Sequence, residues 1–150
     1  MNLERFLEEQ KAWHRFMDKE TTVHTADAAA RTGLELSKIS KSLVLLDQDG
    51  NPILAMIPGD CKLSFEKLRP LAGAKKLRLC PFEEAEKHSG YPPGATPMVG
   101  HKERMRVFLD RRFLRYETIY GGGGSRTRLL EMRTEDVIRI NRAVVGDITE

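Results

Sequence analysis

Apolar side chains recur at helical spacing through the first stretch of the chain. Leu3, Phe6, Leu7, Trp13, Phe16 and Met17 are separated mainly by Glu and Lys. That spacing predicts an amphipathic helix over 3–17, with its aromatic residues, Trp13 included, turned to the core. Thr25 as an N-cap and Gly33 as a stop bracket a short second helix over 27–31. Residues 34–39 read as one more helical turn. The pattern then shortens to β-rich runs. KSLVLL (41–46) and PILAMIP (52–58) flank the turn DQDGN, where Gly50 supplies a positive φ, so the two runs predict a hairpin. A helix over 64–71 starts at a Ser64 cap, and 76–79 reads as a short strand. Pro81 sits at a first helical position, with Glu83 and Glu84 in the favoured first turn and Gly90 as the stop. Residues 90–104 hold Gly90, Gly94, Gly100, Pro92, Pro93 and Pro97, the signature of an ordered loop without regular structure. Strands follow at 105–110 and 115–120, four glycines at 121–124 break the chain, and a strand resumes at 128–132. Thr134 caps a last helix over 135–141, and 143–148 ends as a strand. No repeat and no linker interrupts this order. Short strands mixed with helices point to one α+β domain over 1–150, with 1–19 its variable N-terminal helix.

Composition narrows the class. A chain of 150 residues and 17.1 kDa suits one domain. At that length roughly 68–70% of the unfolded surface is buried on folding, so no staples are needed. Apolar residues make up 40% and charged residues 31%, a soluble globular profile. No apolar run approaches the ~18 residues of a membrane helix. The start, MNLERFLEEQK, lacks a signal-peptide core, so a cytoplasmic protein with no membrane partner is expected. Cys61 and Cys80 make no CxxC and read as reduced, buried, structural thiols. His14, His24, His88 and His101 are scattered, so no metal site is expected. The net charge of +3 is unevenly placed: residues 1–100 balance, and the excess lies beyond them, where ten arginines run from Arg104 to Arg142. The planar guanidinium fork suits phosphate, although a solvated charged face is the plainer account of so small an excess.

A few positions could carry chemistry. Lys41 opens the first hairpin strand, either as a solvated strand-end charge or as a fixed cation meeting a phosphate or a reacting hydroxyl. The loop SGYPPGATPMVG (89–100) is either a rigid connector or a wall whose backbone comes close to a ligand. GGGGS (121–125) lacks a phosphate-loop pattern. Four glycines are costly for a mere hairpin tip, which favours a ligand-facing backbone there. Ser42 and Ser125 have no readable His and Asp partners, so no serine triad is supported. His24 and His101 occupy loop positions within reach of a ligand, although surface or capping roles are the commoner outcome.

Taken in order, TADAAARTG (25–33), KSLVL (41–45), IPGDCKL (57–63), GYPPGATPMVGH (90–101), LD (109–110) and YGGGG (120–124) before LLEM resemble the YbaK/prolyl-tRNA-synthetase-associated editing domain family. The resemblance covers about residues 20–148. It implies a free-standing deacylase that hydrolyses the ester between a wrong amino acid, alanine or cysteine, and tRNA for proline. It also implies a strongly curved, barrel-like mixed sheet ringed by helices. The family lysine falls on Lys41, which with Gly94 would be catalytic. Ser42, His24, Ala95, Thr96, Pro97, Gly122, Gly123 and Gly124 would bind substrate, with backbone N–H groups of the two Gly-rich segments meeting the ester carbonyl. No cofactor or metal is implied, and the partners would be the acceptor end of tRNA and prolyl-tRNA synthetase. The arginines beyond residue 104 would meet the acceptor-stem backbone. Two departures bear on amino-acid specificity. Pro93-Gly94-Ala95 stands where many relatives read Gly-Gly, and the chain lacks the serine near Gly122 and the aspartate near Leu129 found in some branches. A non-catalytic tRNA-binding or synthetase-associated module, and a small-nucleotide-binding domain, are the alternatives to an enzyme.

Overall fold

The computed structural model describes residues 2–150. The long apolar runs of the hairpin become strands β2 (Ser40–Asp47) and β3 (Pro52–Pro58), paired antiparallel from Ser40 opposite Pro58 to Leu46 opposite Pro52. They read as continuous apolar runs because both of their faces are covered. One face carries Val44, Leu46, Leu54 and Met56 into the larger core, and the other carries Leu45, Ile53, Ala55 and Ile57 onto a second cluster. Around this hairpin a five-stranded sheet forms in the order β4 (Leu77–Leu79), β2, β3, β5 (Arg106–Asp110), β8 (Val144–Gly146). The β3–β5 and β5–β8 pairs are parallel. Helix α3 (Phe65–Ala72) covers the second cluster with Leu68 and Ala72. Its Ser64 cap accepts from Lys67 N at 3.2 Å, as the sequence predicts.

The remaining strands form an antiparallel three-stranded sheet, β1 (His14–Asp18), β7 (Arg128–Arg133) and β6 (Thr118–Gly122), in that order. Ile119, Leu130 and Met132 of this sheet share the larger core with β2 and β3. A single parallel bridge, Ile39 to Tyr120, joins the two sheets. The α+β class holds, but the strands lie in two open sheets, so the barrel-like closure expected from the resemblance does not occur. Among the described residues, no helix is long and apolar enough to cross a membrane.

Other boundaries move for identifiable reasons. The first helix, α1, ends at Glu9 (Leu3–Glu9), and the predicted second half of it is β1. Apolar residues at 13, 16 and 17 satisfy a helical period locally, but pairing with β7 offers that backbone a full ladder, and tertiary pairing overrides a weak local preference. Trp13 is consequently 43% exposed rather than in the core. Helix α2 spans Thr25–Thr32 and stops at Gly33 in the left-handed conformation; Thr25 is its first residue, and His24 is the cap position without a capping side-chain bond. Helix α4 (Phe82–Ser89) takes Pro81 as its cap residue and stops at Gly90. A 3-10 turn at Arg111–Arg115, capped by the Asp110 carboxylate, delays β6 to Thr118, so that Gly121 and Gly122 fall inside the strand. In α5 (Thr134–Asn141), Thr134 does not cap: its hydroxyl donates to Tyr116 O at 2.7 Å.

The Gly/Pro loop is ordered because its polar groups are bound at several points. His101 Nε2 donates to Pro97 O at 2.8 Å, Asn141 Nδ2 to Met98 O at 2.8 Å, and Gly124 N to Ala95 O at 3.0 Å. Met98 and Val99 are fully buried. Against β6 the contact is backbone on backbone: a Cβ at Gly122 would lie 2.5 Å from Thr96 O and 2.6 Å from Ala95 C. Gly122→Ala must therefore push the loop off the strand, and a loss of about 1–3 kcal/mol is expected in a urea titration. The Pro97 carbonyl can only accept, so His101 carries its proton on Nε2. Burial pulls the His101 pKa below that of an ordinary histidine, outweighing the carbonyl bond. The unfolded chain, with a histidine pKa near ~6.5, then takes up the proton first as the pH falls. Stability is expected to be complete above about pH 6.5 and to drop below it, read as a urea midpoint that falls between pH 7.5 and 5.5. His101→Gln, which keeps a donor and loses the titration, should flatten that slope.

Candidate active site

A cavity of about 210 Å³ opens where β2 and β6 part company. The register explains its position. Ile39 O accepts from Gly59 N at 2.9 Å, so the odd-numbered residues of β2 bond to β3. Ser40 and Ser42 turn their main-chain groups to the opposite edge, the edge on which Cys80 N reaches Val44 O at 2.9 Å. Strand β4 covers that edge only from Leu45 onward. On the other side, Gly123 N bonds to Arg128 O at 3.1 Å, so Gly122, one residue earlier, faces its N–H away from β7. Two residues beyond the Ile39–Tyr120 bridge, Lys41 and Gly122 come level, but the bridge is not repeated there. The divergence leaves a slot walled by two strand edges and closed by the Gly/Pro loop and α4.

Lys41, Ser42, His24, Gly94, Thr96 and Gly122 all line this cavity. Lys41 has no ion-pair or hydrogen-bond partner among the described residues, and the buried hydroxyls of Ser40 and Ser42 are likewise unpartnered. Gly94 adopts φ +85°, and a Cβ there would lie 2.7 Å from the Val23 backbone, which sets the loop against the segment before α2. The other predicted positions lie outside the lining. Ala95 is buried, with its N–H on Pro92 O at 3.0 Å, and Pro97 O is taken by His101. Gly123 N and Gly124 N are taken by Arg128 O and Ala95 O. The expectation of free N–H donors is therefore narrowed: Ala95, Gly123 and Gly124 are bonded within the fold, whereas Gly94 N and Thr96 N have no main-chain partner among the described residues. Gly122 is the one of the four glycines that lines the cavity, while Gly121 makes room for Met98 and Gly123 for Arg128. By the same alternation the main-chain groups of Gly122 and Ser42 point away from β7 and β3, toward the gap between β2 and β6.

Several lining residues gave no sequence signal. Lys19 binds the Thr22 hydroxyl and Arg126 O, and burial lowers its pKa. Leu79 and Phe82, 54% and 64% exposed, form an apolar lip, with Cys80, Ala85, Ser89 and Tyr91 behind it. These come from β4, α4 and the start of the loop, which reach the site only through packing. Many of the late arginines are engaged within the fold. Arg128 pairs with Glu4 and lies 3.9 Å from the Phe16 ring centroid, Arg126 Nε donates to Pro93 O, and Arg111 and Arg112 approach Asp147. Cys80 is buried as expected, whereas Cys61 is partly exposed; desolvation is the main cause raising both thiols. The scatter of histidines in the sequence is misleading at one point, since the fold gathers Cys80, Glu84 and His88 beside the cavity.

Comparison with known proteins identifies the fold and the family. The model of the aminoacyl-tRNA editing domain family matches residues 19–140. EbsC of Enterococcus faecalis, provisionally named as a Cys-tRNA(Pro)/Cys-tRNA(Cys) deacylase, is 26% identical over 99% of this chain and 92% of its own length. The crystal structure of a hypothetical protein superposes with a TM-score of 0.91 at 32% identity, covering 99% of each chain. A crystal structure described as a trans-editing enzyme candidate for prolyl tRNA synthetase gives 0.87 at 26% identity, over 99% of this chain and 94% of that one. With the family model spanning the loop, both strand edges and α4, the chain belongs to the aminoacyl-tRNA editing domain family.

Proposed function

We propose that the chain is a trans-editing hydrolase that cleaves the ester of a small amino acid, alanine or cysteine, wrongly attached to the acceptor end of tRNA for proline. The observation that carries this reading is the lining of the slot: a lysine without a partner among the described residues and two unpartnered serine hydroxyls around one cavity, with Gly122 beside them. An aminoacyl ester is already activated. Positioning a water and stabilising the tetrahedral oxyanion are enough to hydrolyse it without a covalent nucleophile or a metal. Water adds to the ester carbonyl, the bond from that carbon to the ribose oxygen breaks, and the ribose oxygen takes a proton. Free amino acid and uncharged tRNA result. Lys41 holds the terminal phosphate or the neighbouring ribose hydroxyl, and the slot amides meet the developing oxyanion. The substrate's own ribose hydroxyl assists the water.

The apolar lip fits the base of the terminal adenosine, because single-stranded bases are recognised by stacking on exposed aromatic rings. A volume of about 210 Å³ suits a small amino acid with part of the ribose. Alanine and cysteine are poorly separated by packing alone, since a small apolar difference is worth only about 1–3 kcal/mol. The deacylase and trans-editing descriptions of the relatives support the same reaction and an association with prolyl-tRNA synthetase. Such a protein works in the cytoplasm, where tRNA is charged.

Release of labelled alanine or cysteine from misacylated tRNA tests the reading. Lys41→Ala should lower that release by a factor of about 10² or more, the scale of losing one charge-stabilising group, with thermal stability unchanged. Near-normal turnover would remove Lys41 from the mechanism. Retention of tRNA with no release by the unaltered protein would make it a binding module. Binding of free adenosine nucleotides with no effect on tRNA would make it a small-nucleotide domain. Phe82→Ala should raise KM roughly tenfold and leave kcat within a factor of two, consistent with loss of about 1–3 kcal/mol of base stacking. Chelator should not abolish release, and complete loss of turnover would contradict the metal-free chemistry.

A further inference from the structure

We infer that Cys80, Glu84 and His88 form a binding site for one divalent ion of the zinc class, clamping α4 to the rim of the cavity. Glu84 and His88 stand one turn apart on α4 and share one side of that helix, and Cys80 immediately precedes the Pro81 cap. Their ligand atoms already lie within 4.8 Å of one another. Bonds of about 2.0–2.3 Å in a tetrahedral site put ligand atoms roughly 3.4–3.7 Å apart. An inward shift of about an ångström, within reach of side-chain rotation, closes the set.

The histidine carries the decisive detail. His88 Nδ1 lies 2.6 Å from Glu103 Oε2, which leaves Nε2 for a ligand, and Nε2 is buried with no partner. A carboxylate on one imidazole nitrogen with a metal on the other is the arrangement that orients metal-binding histidines. Glu103 is itself held, because its N–H reaches His88 O at 3.0 Å and the neighbouring Lys102 N reaches Ser89 O at 2.8 Å. A thiolate and a carboxylate would neutralise the charge of a divalent ion, and sulfur, nitrogen and oxygen together suit zinc better than magnesium or calcium. The fourth position is left to water. Bound there, the ion ties Cys80, which is anchored to β2 through Val44 O, to the far end of α4 and to the 101–104 segment. It would brace one wall of the cavity. The chemistry proposed above does not pass through it, and this site stands or falls independently of the deacylase reading.

Metal-stripped protein titrated with Co²⁺ should bind one equivalent and develop a thiolate-to-cobalt absorption band, and saturating Zn²⁺ should raise Tm by roughly 5–10 °C. Cys80→Ser and His88→Gln, each shown folded by circular dichroism, should lose both the band and the Tm gain. Cys61→Ser should keep them, and Glu103→Gln should weaken binding about 10–100-fold. If a variant fails to fold, Glu84→Gln serves the same purpose. Absence of the cobalt band, its survival in Cys80→Ser, or a Tm indifferent to Zn²⁺ would overturn the proposal, whatever the outcome of the deacylation assay.

Discussion

The site depends on a contact between two stretches of main chain. Gly122 presses against Ala95 and Thr96 at a distance that excludes even a methyl group. That contact lets the Gly/Pro loop lie flat on the edge of β6, and the bond from Gly124 N to Ala95 O holds it there. With the loop seated, Gly94 is carried to the Val23 backbone, and the segment before α2 becomes another wall of the same cavity. Moving the loop outward by the width of one carbon would separate these walls, because well-packed interiors transmit displacement rather than absorb it.

The second constraint is incomplete pairing. Strands β2 and β6 touch at a single bridge and then diverge, and β4 covers only the far end of β2. A sheet edge ordinarily exposes amide and carbonyl groups that invite another strand. Here the open edge is folded inward and roofed by α4 and the loop, so the exposed groups face a cavity instead of solvent. The unpartnered hydroxyls of Ser40 and Ser42 belong to the same stretch. Buried polar groups without partners cost free energy. Two of them stand at one place beside Lys41, where the substrate proposed above would supply the missing bonds.

The electrostatics divide the basic residues into two groups. Arg126 and Arg128 are bound to loop carbonyls and to Glu4, and act as braces for the strand turn. Lys41 is left as a cation with no partner among the described residues. Charge counts could not separate these roles, because a guanidinium that fastens a loop and one that awaits a phosphate are the same residue in a composition table.

What the sequence determined by itself is the local part of this structure. Gly50, Gly33, Gly90 and the Ser64 cap set turns and helix ends through interactions spanning a few residues, and the apolar runs at 41–46 and 52–58 could only become buried strands. The ordered motifs are specific enough to indicate the family, and they point to Lys41, Gly94 and Gly122. Tertiary structure decided the rest. The stretch around Trp13 became a strand because β7, more than a hundred residues away in sequence, completed its hydrogen bonds. Which glycine faces the cavity was settled by ladder alternation in β6, and the gathering of Cys80, Glu84 and His88 with Glu103 by the packing of α4 on the loop. A sequence pattern reports the torsional and hydrophobic preferences of neighbours; it carries no record of which distant backbone will satisfy a given amide, and the site is made of those long-range choices.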